Sequence, residues 1–112
     1  MKMKSLCCIA LTSLLLAACS AKVQGERAFH AKQYTAAFNH LLPVARQGDA
    51  DAEYAIGYMY YNGEGVPRDF DLALYWFHRA ALQHQALAVQ AVQLINKTKA
   101  DEPFPPPEGM SE

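Results

Sequence analysis

The stretch that decides the fold is Ala52-Glu53-Tyr54-Ala55-Ile56-Gly57-Tyr58-Met59-Tyr60-Tyr61-Asn62-Gly63-Glu64-Gly65-Val66-Pro67-Arg68-Asp69, followed by Phe70-Asp71-Leu72-Ala73-Leu74-Tyr75-Trp76-Phe77-His78-Arg79-Ala80-Ala81. Its apolar residues recur at helical spacing rather than alternating, so it predicts two helices joined by a glycine-containing loop. At 100° per residue, Ala52, Ile56, Gly57 and Tyr60 share one arc of the first helix. Ala73, Trp76, Phe77, Ala80 and Ala81 share one arc of the second. Small residues on both arcs allow two antiparallel helices to approach closely. Glycine inside a helix costs roughly 1 kcal/mol against alanine, so Gly57 is expected to serve close packing, with the indole of Trp76 filling the space beside it. Gly63 and Gly65 suit positive φ after the helix end. Val66 tucks under the turn, and Pro67 keeps the chain from continuing as helix. Asp69 stands where it would cap the second helix, with Asp71 in the first turn.

The same pattern recurs along the chain. A shift of 36 residues places Tyr34-Thr35-Ala36-Ala37-Phe38 on Phe70-Asp71-Leu72-Ala73-Leu74, Leu41 on Phe77, Gln47 on Gln83 and Ala50 on Ala86. It continues through Ala52, Ala55 and Ile56 onto Ala88, Ala91 and Val92. A period in the thirties built from helices is the mark of an α-solenoid. The expected fold is all-α: a short solenoid of antiparallel helix pairs, about five helices. The final helix turns Ala88, Ala91, Val92 and Ile95 inward and Gln90, Gln93, Asn96 and Lys97 outward, as a solenoid cap should.

The unit over residues 52–87 resembles a Sel1-like repeat, a relative of the tetratricopeptide repeat. The positions carrying the resemblance are Ala52, Tyr54, Ile56, Gly57, Tyr60, Gly63, Gly65, Val66, Asp69, Ala73, Trp76, Phe77, Ala80 and Ala81. The first unit is tetratricopeptide-like and lacks the Gly-x-Gly loop extension. The resemblance implies a binding scaffold rather than an enzyme. Some secreted Sel1-like proteins have been linked to β-lactam or cell-wall chemistry, but they depend on repeat-linking cysteine pairs.

Residues 1–18 read as a secretory signal: Lys2 and Lys4 precede a largely apolar stretch from Leu6 to Leu16. That stretch is too short for a bilayer-spanning helix, which needs about 20 apolar residues. Leu16-Ala17-Ala18-Cys19 resembles the lipobox of bacterial lipoproteins. The resemblance implies acylation of Cys19 and cleavage after Ala18. Residues 19–21 would be a short tether, holding the repeat domain of residues 22–100 against the headgroups. Ser20 after the cysteine implies, by the same resemblance, the outer membrane facing the periplasm. Residues 101–112, proline-rich and acidic, read as an extended or disordered tail.

Cleavage would leave 94 residues with eight basic and eleven acidic side chains, a net charge of about −3. Without a basic cluster, nucleic acid is not an expected partner. With Cys7 and Cys8 in the signal and Cys19 acylated, no thiol remains for a disulfide, a metal site or a nucleophile. His30, His40, His78 and His84 form no i, i+4 pair, so no metal or cofactor is expected. Gly63-Glu64-Gly65 has neither the lysine nor the strand context of a phosphate loop. No nucleophile motif stands elsewhere, and the chain is not expected to be an enzyme.

Tyr54, Tyr58 and Tyr61 lie at i, i+4 and i+7, opposite the alanine arc. Tyr54 is expected to pack between repeats. Tyr58 and Tyr61 are the candidate partner-binding residues, offering rigid area with a hydrogen-bonding tip. The expected function is a membrane-anchored adaptor that binds an envelope protein or peptide. A peptidoglycan- or carbohydrate-binding role is the alternative, because exposed tyrosines stack on sugars. Self-association is a further expectation, since about two and a half repeats approach the minimum for a stable solenoid.

Overall fold

The computed structural model describes residues 2–98. Five helices follow one another: α1 (Lys2–His30), α2 (Tyr34–Arg46), α3 (Ala50–Asn62), α4 (Phe70–Leu82) and α5 (Ala86–Thr98). Each packs on the next, α1 on α2, α2 on α3, α3 on α4 and α4 on α5. This is an all-α solenoid of antiparallel pairs. The expected tail at 101–112 lies outside the described residues.

The helix ends are set by side chains as well as by turns. Asp69 Oδ1 accepts from Leu72 N at 3.0 Å to cap α4. Asp49 does the same for α3, accepting from Ala52 N at 2.9 Å. Gln85 Oε1 accepts from Ala88 N at 2.7 Å at the start of α5. Each satisfies one of the orphan amides at a helix N-terminus. Gly63 ends α3 in the left-handed conformation, and Glu64 N donates to Met59 O at 2.9 Å. The loop then closes on α3, with Asp69 N donating to Tyr60 O at 2.9 Å.

Gly65 joins the two repeats. Its φ is +74°, and a Cβ there would stand 2.5 Å from the Tyr34 carbonyl carbon. The α3–α4 loop thus rests directly on the backbone at the start of α2, a contact only glycine permits. The turns between repeats are also equivalent. Gly48 and His84, 36 positions apart, both have positive φ, +100° and +61°. A non-glycine residue in that region is strained by roughly 1 kcal/mol. We therefore expect His84→Gly to raise stability by about 0.5–1 kcal/mol, read as a higher thermal midpoint; a lower midpoint would contradict the assignment of strain.

Two clusters make the core. The first holds Ala28, Phe29, Ala37, Leu41, Val44, Ala45, Ala52, Ala55, Ile56, Met59 and Trp76. The second holds Tyr54, Tyr61, Ala73, Phe77, Ala80, Ala88 and Ala91. Helix α3 contributes to both: Tyr54 packs between repeats as expected, and Tyr61 joins it there. Its Ala52, Ala55, Ile56 and Met59 face the first cluster, and Tyr54 and Tyr61 face the second. A helix in the middle of a stack has neighbours on both sides, so a single amphipathic stripe cannot describe it.

A correction concerns Gly57. Phe77, rather than Trp76, fills the space beside it: a Cβ at Gly57 would lie 2.7 Å from Phe77 Cδ1 and 3.2 Å from Ala73 O. Trp76 instead joins the first cluster. In the first repeat, Gly25 meets Leu41 in the same way, with a Cβ 2.5 Å from Leu41 Cγ. Leu41 and Phe77 are partners under the 36-residue shift, so both repeats use one glycine-to-large-residue device.

The last of the described helices, α5, packs on α4. Ala88 and Ala91 are buried against α4, with Val92 and Ile95 packed on the same cluster. Gln90, Gln93, Asn96 and Lys97 are exposed. The 36-residue register sets Gln90, Gln93 and Lys97 where α3 carries Tyr54, Gly57 and Tyr61. Among the described residues, the side of α5 that corresponds to the packing side of α3 is therefore polar at these three positions.

Candidate functional site

Tyr61, read from sequence as a partner-binding residue, is buried. Only 1% of it is exposed. Its ring packs edge-on against Phe70 at 5.3 Å and lies 6.5 Å from Phe77. Arg68 sits over both the Tyr61 and Phe70 rings, at 5.7 and 4.2 Å, and its Nε donates to Tyr61 O at 2.9 Å. The physical reason is the loop, which folds α4 back across this face of α3. Tyr54 is likewise fully buried, its ring 5.3 Å from Phe77. Burial raises its hydroxyl pKa well above the ordinary tyrosine value, with the neighbouring Tyr58 adding to the shift.

Tyr58 alone of that stripe reaches the surface. It is half-buried, and its ring meets Phe29 edge-on at 5.7 Å. Phe29 in turn meets Tyr34 at 5.4 Å. The Phe29–Tyr34 pair repeats the Tyr61–Phe70 pair one unit earlier. The loop residue Glu64 completes the group. One of its carboxylate oxygens, Oε2, is buried and has no hydrogen-bond partner. Burial pushes the Glu64 carboxyl pKa up, and pushes Tyr58 up to about 12, with the Glu64 charge and Tyr34 contributing to the latter. Tyr34 is raised by the same two causes, burial first and the Glu64 charge second.

Sequence reasoning missed Glu64, Tyr34 and Phe29 as neighbours of Tyr58. Gly63-Glu64-Gly65 was legible as a turn, but not where the turn would land. The available signal was the alignment of Tyr34 with Phe70, which marks both as ring partners of the preceding helix.

The pH dependence follows in sign. A carboxyl whose folded pKa is raised favours folding when protonated, so its contribution is fullest below the ordinary carboxylate range. That contribution is lost as pH rises through the folded value. We expect Glu64→Gln to be as stable as wild type or more so at pH 7, with any advantage shrinking as pH falls toward about 4. Thermal midpoints at the two pH values check this, and a loss of stability at neutral pH would contradict it.

A second polar group joins α3, α4 and the α2–α3 turn. Glu53 is 1% exposed, and Arg79 Nε stands 2.6 Å from its Oε2. Gln83 Nε2 donates to Glu53 Oε1 and, at 2.8 Å, to Gly48 O. Arg79 also lies over the Trp76 ring at 5.2 Å and donates to the Tyr75 hydroxyl at 3.3 Å. All its members are engaged with one another, so this group holds the fold.

At the other end, an open hollow is lined by Cys19, Lys22, Val44, Gln47, Gly48 and Asp49. Lys22 Nζ lies 2.9 Å from Asp49 Oδ2 and 3.5 Å from Asp51 Oδ2. Burial works to lower the Lys22 pKa, but the hydrogen bond and charge of Asp49, with Asp51 and Glu26, outweigh it and raise the value. Cys19 is an exposed free thiol. Among the described residues no group of three or more His, Cys, Asp or Glu could hold a metal ion, and no helix is long and apolar enough to cross a membrane.

Comparison with known proteins agrees with the helix pairing. Residues 50–84 match the Sel1 repeat. The chain carries a Sel1-like repeat domain. The matched segment runs from the start of α3 to the turn after α4, so the domain's best-defined unit is the pair holding Gly57, Phe77 and the Gly63–Asp69 loop. The chain is also similar to the ERAD-associated E3 ubiquitin-protein ligase component HRD3 of Candida glabrata, at 37% identity over 68 residues. That similarity covers 61% of this chain and 8% of the relative. Sel1-like repeats are non-catalytic scaffolds, and the domain has the helical surface of one.

Proposed function

We propose that the chain is a lipid-anchored adaptor. It is acylated at Cys19, held at the envelope membrane (outer, facing the periplasm), and presents the Tyr58 face of its Sel1-like domain to a protein partner. The observation that carries the adaptor reading is the Tyr58–Glu64–Tyr34 surface. It is aromatic and partly open, with Tyr34, Tyr58 and Glu64 each half-buried.

The anchor rests on the sequence Leu16-Ala17-Ala18-Cys19 and on where the core of α1 begins. Ser13, Leu16, Ala17, Cys19 and Ser20 are exposed, whereas Ala21, Gly25, Ala28 and Phe29 are partly or fully buried. Cleavage after Ala18 would remove none of these core residues. The carbohydrate-binding alternative is weakened by the burial of Tyr61, which withdraws one of its two stacking platforms.

Two measurements test the proposal. A palmitate analogue fed to cells should label the wild type and leave Cys19→Ala unlabelled. Recovery of a specific partner in pull-downs should fall in Tyr58→Ala while helicity is unchanged. An unlabelled wild type would end the anchor reading, and undiminished recovery of every partner would end the Tyr58 reading.

A further inference from the structure

We propose that the proline-rich segment after α5, Pro103 to Glu108, docks on the outer face of α4 along Leu72, Tyr75 and Leu82, with Arg79 beside them. The inference stands apart from the adaptor reading, whose Tyr58 belongs to α3.

The first ground is where exposed apolar surface lies. Among the described residues, the exposed large apolar side chains are Leu16 and Val23 of α1 and Phe70, Leu72, Tyr75 and Leu82 of α4. At 100° per residue Leu72, Tyr75, Arg79 and Leu82 share an arc about 80° wide, turned away from the buried Ala73, Phe77 and Ala80. Tyr75 is 52% exposed and Leu82 81%. Packing between repeats does not call for this stripe, because α2 carries Ala36, Asn39, Pro43 and Arg46 at the matching positions. Large apolar groups left in water in a row mark a contact surface. The central ring is already held in place. It meets Trp76 edge-on at 5.3 Å, and its hydroxyl accepts from Arg79 at 3.3 Å.

The second ground is that the chain's own next segment fits in reach and chemistry. Helix α5 returns antiparallel along α4, so its Thr98 end lies at the Phe70 end of α4. From there Lys99 to Glu102 need only cross one helix width, roughly 10 Å, and four extended residues span about 13 Å. A polyproline helix rises about 3.1 Å per residue, so Pro103 to Glu108 cover about 15 Å. Leu72 and Leu82 are separated by about 15 Å along α4. Residues 101–112 hold four acidic side chains and no basic one, and the charge within the stripe is Arg79. Its Nε faces Glu53 and one Nη1 proton goes to Tyr75, which leaves further donors for Glu108. Prolines lose little freedom on docking and pack flat against aromatic rings. A tethered segment also acts at an effective concentration on the order of 1 mM, so it outcompetes a free peptide of similar composition.

The test uses NMR of isotope-labelled full chain in a neutral detergent. Nuclear Overhauser contacts are expected from the Phe104 ring and the Pro105–Pro107 rings to the Leu72 and Leu82 methyls and the Tyr75 ring. Phe104→Ala should lower the docking equilibrium constant by about tenfold or more, the value of one buried aromatic ring. It is read as shifts of the Leu72 and Leu82 methyls and of the Trp76 indole, with the Tyr58 signals unmoved. The substitution lies outside the helices, so unchanged amide signals through α1 to α3 confirm that the fold is kept. Tyr75→Ala supplies the reciprocal arm and should move the Phe104 signals toward those of an undocked ring. Absence of the contacts, or signals of Leu72, Leu82 and Trp76 indifferent to Phe104→Ala, would overturn the proposal. So would contacts seen only between labelled and unlabelled chains in a mixture, which would make a second copy the occupant.

Discussion

Tyr61→Ala is expected to leave the domain largely unfolded at 37 °C, while Tyr58→Ala remains folded. Tyr61 is among the largest fully buried side chains, and it joins α3 to α4 through Phe70 and Phe77. Truncating a buried aromatic to alanine costs about 3–5 kcal/mol, because transfer energy and cavity add. The lost edge-on partner Phe70 contributes about 0.5–1.5 kcal/mol of that total. A domain of this size has on the order of 5–10 kcal/mol in all, so most of its stability would go. Tyr58 is half-buried, and its removal is expected to cost about 1–2 kcal/mol. Circular dichroism during urea titration of the two variants decides the matter. Tyr61→Ala within 1 kcal/mol of wild type would show that α4 does not depend on this ring. The pair also guards the functional test: a partner lost in Tyr61→Ala says nothing of binding, whereas a partner lost in Tyr58→Ala does.

The two tyrosines show how far the sequence could be read. Period and composition made the helix pairs legible, together with the Asp69 cap, the Gly63 and Gly65 turns and the polar face of α5. Those features depend on residues near one another in the chain. The helical wheel also grouped Tyr58 with Tyr61 correctly in angle. It could not say which neighbour covers which arc, because that depends on where the loop from Gly63 to Asp69 delivers α4. Trp76 and Phe77 were confused for the same reason. Adjacent on the wheel, they diverge in the fold, one toward the first repeat and one onto Gly57. Glu64 was hidden more deeply, since its loop lands on the backbone of Tyr34, 30 positions earlier in the chain.

A different kind of hidden residue gives the second large effect. Glu53 reads in sequence as an ordinary charge in the first turn of α3, yet it is enclosed with Arg79 and Gln83 around it. Arg79→Met is expected to destabilise the domain by about 3 kcal/mol, at the lower end of the range for breaking a buried pair. The lower end applies because a third of the Arg79 side chain is exposed, 34% against 1% for Glu53, so water already weakens the pair. The cost arises from stranding the carboxylate with one neutral donor, Gln83. Glu53→Gln alone should cost less, since the arginine left behind can turn toward solvent and keep its place over Trp76. If stranding is the cause, adding Glu53→Gln to Arg79→Met should restore part of the loss, making the double variant more stable than the arginine variant. Urea midpoints of the three variants supply the cycle. Simple additivity would mean that Arg79 acts through its stacking on Trp76 and Tyr75 rather than through charge, and that the α3–α4 junction is held by packing alone.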